Sequence, residues 1–132
     1  MKNNDAVAFQ CSRDWANQFP SKAGVYSVFD LKKLIYVGES GSLKGRMRDL
    51  LDTRNHTLRR RLGSELFNTR HDYFPASTKD KFPETIENLL NKYMSKKLSV
   101  LAISVVLGRK EIEEALVASK KPKFNSKLQR ST

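Results

Sequence analysis

"GVYSVFDLKKLIYVGES", residues 24–40, is the stretch on which the reading of this chain turns. Two runs rich in Val, Ile, Tyr and Phe, 24–29 and 33–38, flank the polar reversal "DLKK". Short β-branched and aromatic runs bounded by a polar turn predict a β-hairpin. Tyr26 closes a Gly-Val-Tyr triplet, and Tyr36, ten positions on, opens Tyr-Val-Gly. Alone, the stretch supports no more than a hairpin carrying two half-buried phenols.

Outward from the hairpin, Ser42 is an N-cap for a helix with Leu43, Met47, Leu50 and Leu51 on one face. Gly45 costs that helix about 1 kcal/mol relative to alanine, so its first turn is weak. A second helix starts near Thr57, with Leu58, Leu62 and Leu66 at i, i+4, i+8. Residues 68–81, with Pro75 and mixed charge, read as a loop. Pro83 suits the first turn of a third helix whose stripe is Ile86, Leu89, Leu90, Tyr93 and Met94. "SVLAISVVL", 99–107, has the length and β-branching of a buried strand, and Gly108 breaks it. "RKEIEEALVASKK" is a short last helix ended before Pro122. Residues 1–22 are weakly patterned, with Trp15, Phe19 and Pro20 suggesting a segment that packs ahead of the first strand. The order strand, strand, helix, helix, helix, strand, helix predicts an α+β domain with a small central three-stranded β-sheet flanked by helices.

At 132 residues the chain is expected to form one domain, 1–132. No stretch approaches the ~20 apolar residues of a membrane span, and "MKNNDAVAFQCSRDW" lacks a signal-peptide centre. No membrane association and a cytoplasmic location are the expectation. The single cysteine, Cys11, excludes an internal disulfide and a thiolate-rich zinc site, and reads as an incidental thiol. Lysine and arginine number 25 against 14 acids, a net charge of +11, which attracts polyanions. Seven of those basic residues fall in 44–61, and five fall between Ala115 and Thr132 without an acid. Two separated basic segments favour nucleic acid as the partner, against the plainer reading of solvated helix faces.

Cutting a phosphodiester needs a positive group on the phosphate, a polariser for the attacking water and commonly a divalent cation. Candidates for each role lie in separate segments. The two tyrosine triplets are followed by Arg46, eight residues past Gly38, and Glu113 precedes Asn125 of "PKFN" by twelve. This ordered set resembles the GIY-YIG nuclease family over roughly residues 22–50 and 98–126. The resemblance implies that Tyr26 acts on the attacking water, directly or as a general base, and that Tyr36 contacts the phosphate or water network. A metal and an arginine nearby are expected to lower the pKa of the Tyr26 phenol. The same resemblance puts Arg46 on the scissile phosphate, Glu113 on the metal (Mg²⁺ or Mn²⁺) and Asn125 in an orienting role. Asn125 alternatively shapes the turn after Phe124, and without the other pieces Tyr26 and Tyr36 read first as ordinary strand residues with satisfied hydroxyls. Glu111 and Glu114 read as surface charges.

The chain also departs from the family pattern. Where several members carry a histidine one turn after the arginine, this chain has Leu50; the nearest histidine, His56, is a catalytic candidate from the next helix cap, or simply a capping residue. Residues 51–97 form a basic helical insertion longer than the minimal module. Lys44, Arg48, Arg54, Arg59, Arg60, Arg61 and Lys123 are the expected contacts to nucleic-acid backbone. The expected function is divalent-metal-dependent endonucleolytic hydrolysis of DNA, duplex or branched; the alternative is a non-catalytic nucleic-acid-binding module of the same fold. Sequence-specific cutting would require the insertion, a homodimer or a partner protein.

Overall fold

The computed structural model describes residues 5–125. The hairpin forms as β2, Gly24–Asp30, and β3, Lys33–Ser40, antiparallel from Gly24↔Ser40 to Asp30↔Lys33. Its reversal is the pair Leu31-Lys32, and Leu31 sits at φ 56 in the left-handed region. That conformation costs a leucine roughly 1–2 kcal/mol, partly offset by the Leu31 N–H bond to the Lys97 carbonyl at 2.8 Å. A β-bulge lies between Val28, opposite Tyr36, and Phe29, opposite Leu34; Ile35 is the extra residue. Paired residues share a face, so Tyr26, Val28, Tyr36 and Gly38 point to one side of the sheet.

The sheet has four strands rather than the expected three, in the order β1-β4-β2-β3. The addition is β1, Val7–Ala8, paired with Val100 and Ser99 of β4, Leu98–Ser104. Two exposed residues leave no period-2 signature to read. The strand β4 pairs along the whole of β2 and ends where β2 begins, at Gly24↔Ser104. It is therefore shorter than the apolar run 99–107. Val106 and Leu107 fall outside it and are exposed.

A short helix α1, Arg13–Ala16, capped by Ser12, buries Trp15, which stacks edge-on against Phe9 and Phe19. After the hairpin come α2, Leu43–Asp49, and α3, Thr57–Phe67, with a 3-10 turn at Thr53–Asn55 between them. The Ser42 hydroxyl caps α2 by accepting from the Gly45 N–H at 3.1 Å. The helix α4, Glu84–Lys97, has Pro83 as its N-cap rather than in its first turn. Leu43, Met47, Leu50, Leu58, Leu62, Ile86, Leu90 and Met94 form one core with Tyr26, Val28 and Val100. Each such side chain contributes about 1.5–3 kcal/mol by leaving water. The stripes foreseen for these helices are the ones buried, with Leu51, Leu66, Leu89 and Tyr93 half-buried at their margins.

The last helix, α5, Arg109–Lys120, packs against β3 and β2. It buries no residue fully, but Arg109, Glu113, Leu116 and Val117 are half-buried at i, i+4, i+7, i+8. Glu113 therefore lies on the inward stripe of α5, while Glu111 and Glu114 are exposed as expected. A 3-10 turn, Lys123–Asn125, then runs beside β3. Cys11 is exposed and unbridged. Among the described residues no helix is long and apolar enough to cross a membrane.

Candidate active site

Two glycines of the hairpin triplets are there because something occupies the space a side chain would take. A Cβ on Gly38 would lie 2.4 Å from Cζ and Oη of Tyr26, its cross-strand partner. One on Gly24 would lie 2.2 Å from the Ile103 carbonyl oxygen and 2.7 Å from Leu43. Gly38 of the second triplet thus leaves room for the hydroxyl end of the first tyrosine's ring. This fixes where the phenol oxygen emerges.

That oxygen meets His56. The Tyr26 Oη lies 2.8 Å from His56 Nε2, and both side chains are fully buried. His56 is also the N-cap of α3, its Nδ1 accepting the Leu58 N–H at 3.1 Å. With Nδ1 an acceptor, the proton of the neutral ring sits on Nε2, and Nε2–H donates to the phenol oxygen. Burial holds His56 well below its ordinary pKa, and the positive charges of Arg46, Arg60 and Arg59 push the same way. The ring of Tyr36 completes the group, 6.1 Å from Tyr26 and 5.4 Å from His56 between centroids. Tyr36 is only half-buried, so it is the phenol nearer to solvent.

Arg46, on α2, interacts with the Tyr26 hydroxyl. Its guanidinium is held by Asp49 Oδ2 and the Asn55 carbonyl, each at 3.1 Å. Asp49, one turn on, and Asn55, in the 3-10 turn, escape sequence reading because acids and turn residues near an arginine are commonplace. Burial raises the Tyr26 pKa well above that of an ordinary phenol, the Tyr36 hydroxyl adds to it, and Arg46 pulls only part of the way back. The expected lowering is thus reversed in the protein alone, because desolvation outweighs one guanidinium.

Asn125 is engaged with the backbone of β3 at Val37, the residue after Tyr36. Its amide accepts from the Val37 N–H at 2.7 Å and donates to the Val37 carbonyl at 2.8 Å, along the outer edge of β3. It fastens the terminal turn to the sheet, assisted by Arg61, which donates to the Phe124 carbonyl at 2.7 Å. Glu113 is set one turn beyond Arg109, whose Nε bonds Glu39 Oε1 at 2.7 Å at the end of β3. Glu39 is thereby engaged as an ion-pair partner. Among the described residues no three His, Cys, Asp or Glu side chains gather into a metal cluster. Magnesium is commonly held by one or two carboxylates together with waters and phosphate oxygens, so Glu113, on the inward stripe of α5, is of the chemical type that fits that ion.

The expected backbone contacts divide sharply. Arg59 is not on the surface but 1% exposed, ion-paired to Glu87 at 2.8 Å and bonded to Thr53 Oγ1 at 2.8 Å and to Asn91. It sits on the inner side of α3, where the packing of α4 leaves no solvent to its guanidinium. Arg60 donates to the carbonyls of Thr53 and Arg54, bracing the turn ahead of α3. Lys123 pairs with Glu65 and Arg54 with Asp52. Arg48 is exposed and bonded to Asn17, and Lys44 is half-buried in the first turn of α2.

In solved structures the chain resembles, at 18% identity and a TM-score of 0.44, a point mutant of the GIY-YIG N-terminal endonuclease domain of UvrC from Thermotoga maritima bound to its catalytic divalent cation; the match covers 85% of this chain and 91% of that one. The same domain bound to magnesium matches at 19% identity and a TM-score of 0.42, over 85% and 92% of the two chains. No curated protein matches the sequence. The model of the GIY-YIG catalytic domain matches residues 18–131, which embrace both tyrosine triplets, Arg46, Glu113 and Asn125. The chain belongs to the GIY-YIG nuclease family.

Proposed function

We propose that this protein is a divalent-metal-dependent endonuclease that hydrolyses DNA, with its reacting phosphate held at the mouth of the Tyr26, Tyr36, His56 and Arg46 group. The observation that supports this most directly is the convergence of Arg46, Tyr36 and His56 on one phenol oxygen. Arg46 offers a permanently charged fork to a phosphate. Tyr26 would first give its proton to bulk water, with Arg46 and the His56 Nε2–H stabilising the phenolate. That phenolate then takes the proton of the attacking water, directly or relayed through the Tyr36 hydroxyl nearer to solvent, and ends as the neutral phenol. Glu113 would hold the cation, Mg²⁺ or Mn²⁺, which when bound supplies positive charge to the phosphate and to the nucleophilic water. Asn125 acts by keeping the terminal turn against β3 and not by touching substrate. Lys44, Arg48 and Arg54 are the cations of the 44–61 segment best placed for backbone contact, and residues 51–97 serve as an insertion that braces the site as much as it adds charge. A cytoplasmic location suits a substrate of this kind.

The test is a cleavage assay with the purified chain on duplex, branched and single-stranded DNA and on RNA, with Mg²⁺ or Mn²⁺. DNA cutting that EDTA abolishes is expected. Glu113→Gln should lose cutting and keep binding. A glutamine variant that cuts as fast as wild type would remove Glu113 from the metal, and binding without cutting by wild type would favour the non-catalytic module.

A further inference from the structure

The most exposed large apolar side chains of the described residues are adjacent. Val106 is 93% and Leu107 85% exposed, at the tip of the loop between β4 and α5. Such a pair in water forgoes the burial that most aliphatics find. The tip is built firmly. The Val105 N–H bonds the Ala23 carbonyl at 2.9 Å, and Gly108, at φ 80 with open space around it, turns the chain sharply into α5. The Arg109–Glu39 ion pair then pins the start of that helix to the end of β3.

The surroundings of the tip are basic and belong to the active-site side of the hairpin. The loop 20–22 supplies carbonyls to the first N–H groups of α2, Lys22 to Leu43 and Pro20 to Lys44, each at 2.9 Å. Ala23, the next residue, holds Val105. Lys22, next to Ala23, and Arg109 and Lys110, which follow Gly108, are therefore the cations nearest the tip along the chain, with Arg109 already neutralised by Glu39, and Lys44 is joined to the same loop through Pro20. The Arg109 guanidinium also lies against Gly41, 3.8 Å from where its Cβ would be. Arg46 is one helical turn beyond the Ser42 cap, about 6 Å along the axis.

We infer that Val106 and Leu107 form a wedge that enters the stacked bases of duplex DNA beside the phosphate held by Arg46. The inference rests on the nuclease reading above and adds how the substrate is deformed. Aliphatic side chains inserted between base steps unstack and kink a duplex, and a rim of lysines neutralises the phosphates drawn toward them. A protruding tip two residues wide, with lysines on either side of it in the chain, fits a base step; a second protein would ask for a broader apolar face.

The experiment uses the full chain with Val106→Ser and Leu107→Ser combined. Both residues lie on the surface, so the melting temperature should be unchanged. Duplexes carrying 2-aminopurine at successive positions are titrated with protein in EDTA, and cleavage is followed separately with Mg²⁺. Wild type should raise the fluorescence at one or two positions, and the double variant should not. The variant should also bind intact duplex about tenfold more weakly or worse. The deficit should shrink on a duplex with a mismatch at that step, where unstacking is already done. Equal fluorescence and equal affinity in the two proteins, with cleavage intact, would overturn the wedge and leave the nuclease reading standing. Wild type that neither binds nor cuts DNA overturns both. A dimer in sedimentation velocity that the double variant splits would assign the tip to self-association instead.

Discussion

His56 closes two circuits with one ring: Nδ1 caps α3 through the Leu58 N–H, and Nε2 reaches the buried Tyr26 hydroxyl at 2.8 Å. The start of the helical insertion is thereby tied to the first tyrosine of the hairpin. Separating the two roles gives a clean experiment. Asparagine is a good N-cap, and replacing a cap by alanine costs about 1 kcal/mol. His56→Asn should therefore melt closer to wild type than His56→Ala, while both lose most of the cleavage rate.

The pH dependence of stability follows from the same ring. In the unfolded chain His56 titrates near 6.5, whereas burial first, then Arg46, Arg60 and Arg59, hold it well below that in the fold. Above pH 6.5 both states are neutral there, and this contribution is fully present. As pH falls below 6.5 the unfolded chain takes up a proton that the folded one refuses, and stability declines by up to about 1.4 kcal/mol per pH unit. Urea denaturation between about pH 8 and pH 5 should show this slope in wild type and lose it in His56→Asn.

The second motif glycine should be intolerant of even one carbon. A methyl at Gly38 would stand 2.4 Å from the Tyr26 hydroxyl carbon and oxygen, so the ring must move. Gly38→Ala is expected to destabilise the fold by about 1–3 kcal/mol and to abolish cleavage. Calorimetry and the cleavage assay together check this, since loss of activity in a still-folded variant is the informative outcome.

Arg59 should behave as core. Removing it strands Glu87 beside Asn91 in a packed interface, which costs roughly 3–5 kcal/mol. Arg59→Met fills much of the volume and should be gentler than Arg59→Ala. Where Arg59→Met remains folded, the slope of log affinity against log salt for DNA should match wild type. Arg48→Ala, by contrast, should reduce that slope by about one if it touches a phosphate.

The parts of this fold that obey a short period were legible in the sequence. The hairpin, the Ser42 cap, the start of α3 at Thr57 and the Ile86-Leu90-Met94 stripe all announce themselves within a few turns of chain. The two-residue strand β1 does not, because its place depends on Val100 being free at the outer edge of β4. Composition alone cannot tell Arg59 from its neighbours either; that requires α4 to be packed on α3. Order and spacing single out the tyrosines, arginine and glutamate as candidates, but say nothing of how they are held. Asp49, Asn55 and Gly38 earn their roles through contacts that exist only once strands and helices meet. The run 99–107 misled for a related reason: apolar character marks burial only while a neighbouring strand lasts, and the antiparallel β2 offers no partner ahead of its first residue, Gly24.

The amide of Asn125 has one more effect, on what the molecule refuses. The strand β3 ends the sheet, and Val37 would present a free N–H and C=O to any passing extended chain. Asn125 answers both with the two hydrogen bonds that a neighbouring strand would have made. At the opposite border β1 covers the outer edge of β4 only at Ser99 and Val100. The enzyme thus carries its own stopper against growing into fibrils. A protein cut before Pro122 should turn sticky in concentrated solution even while its hairpin and aromatic group remain in place.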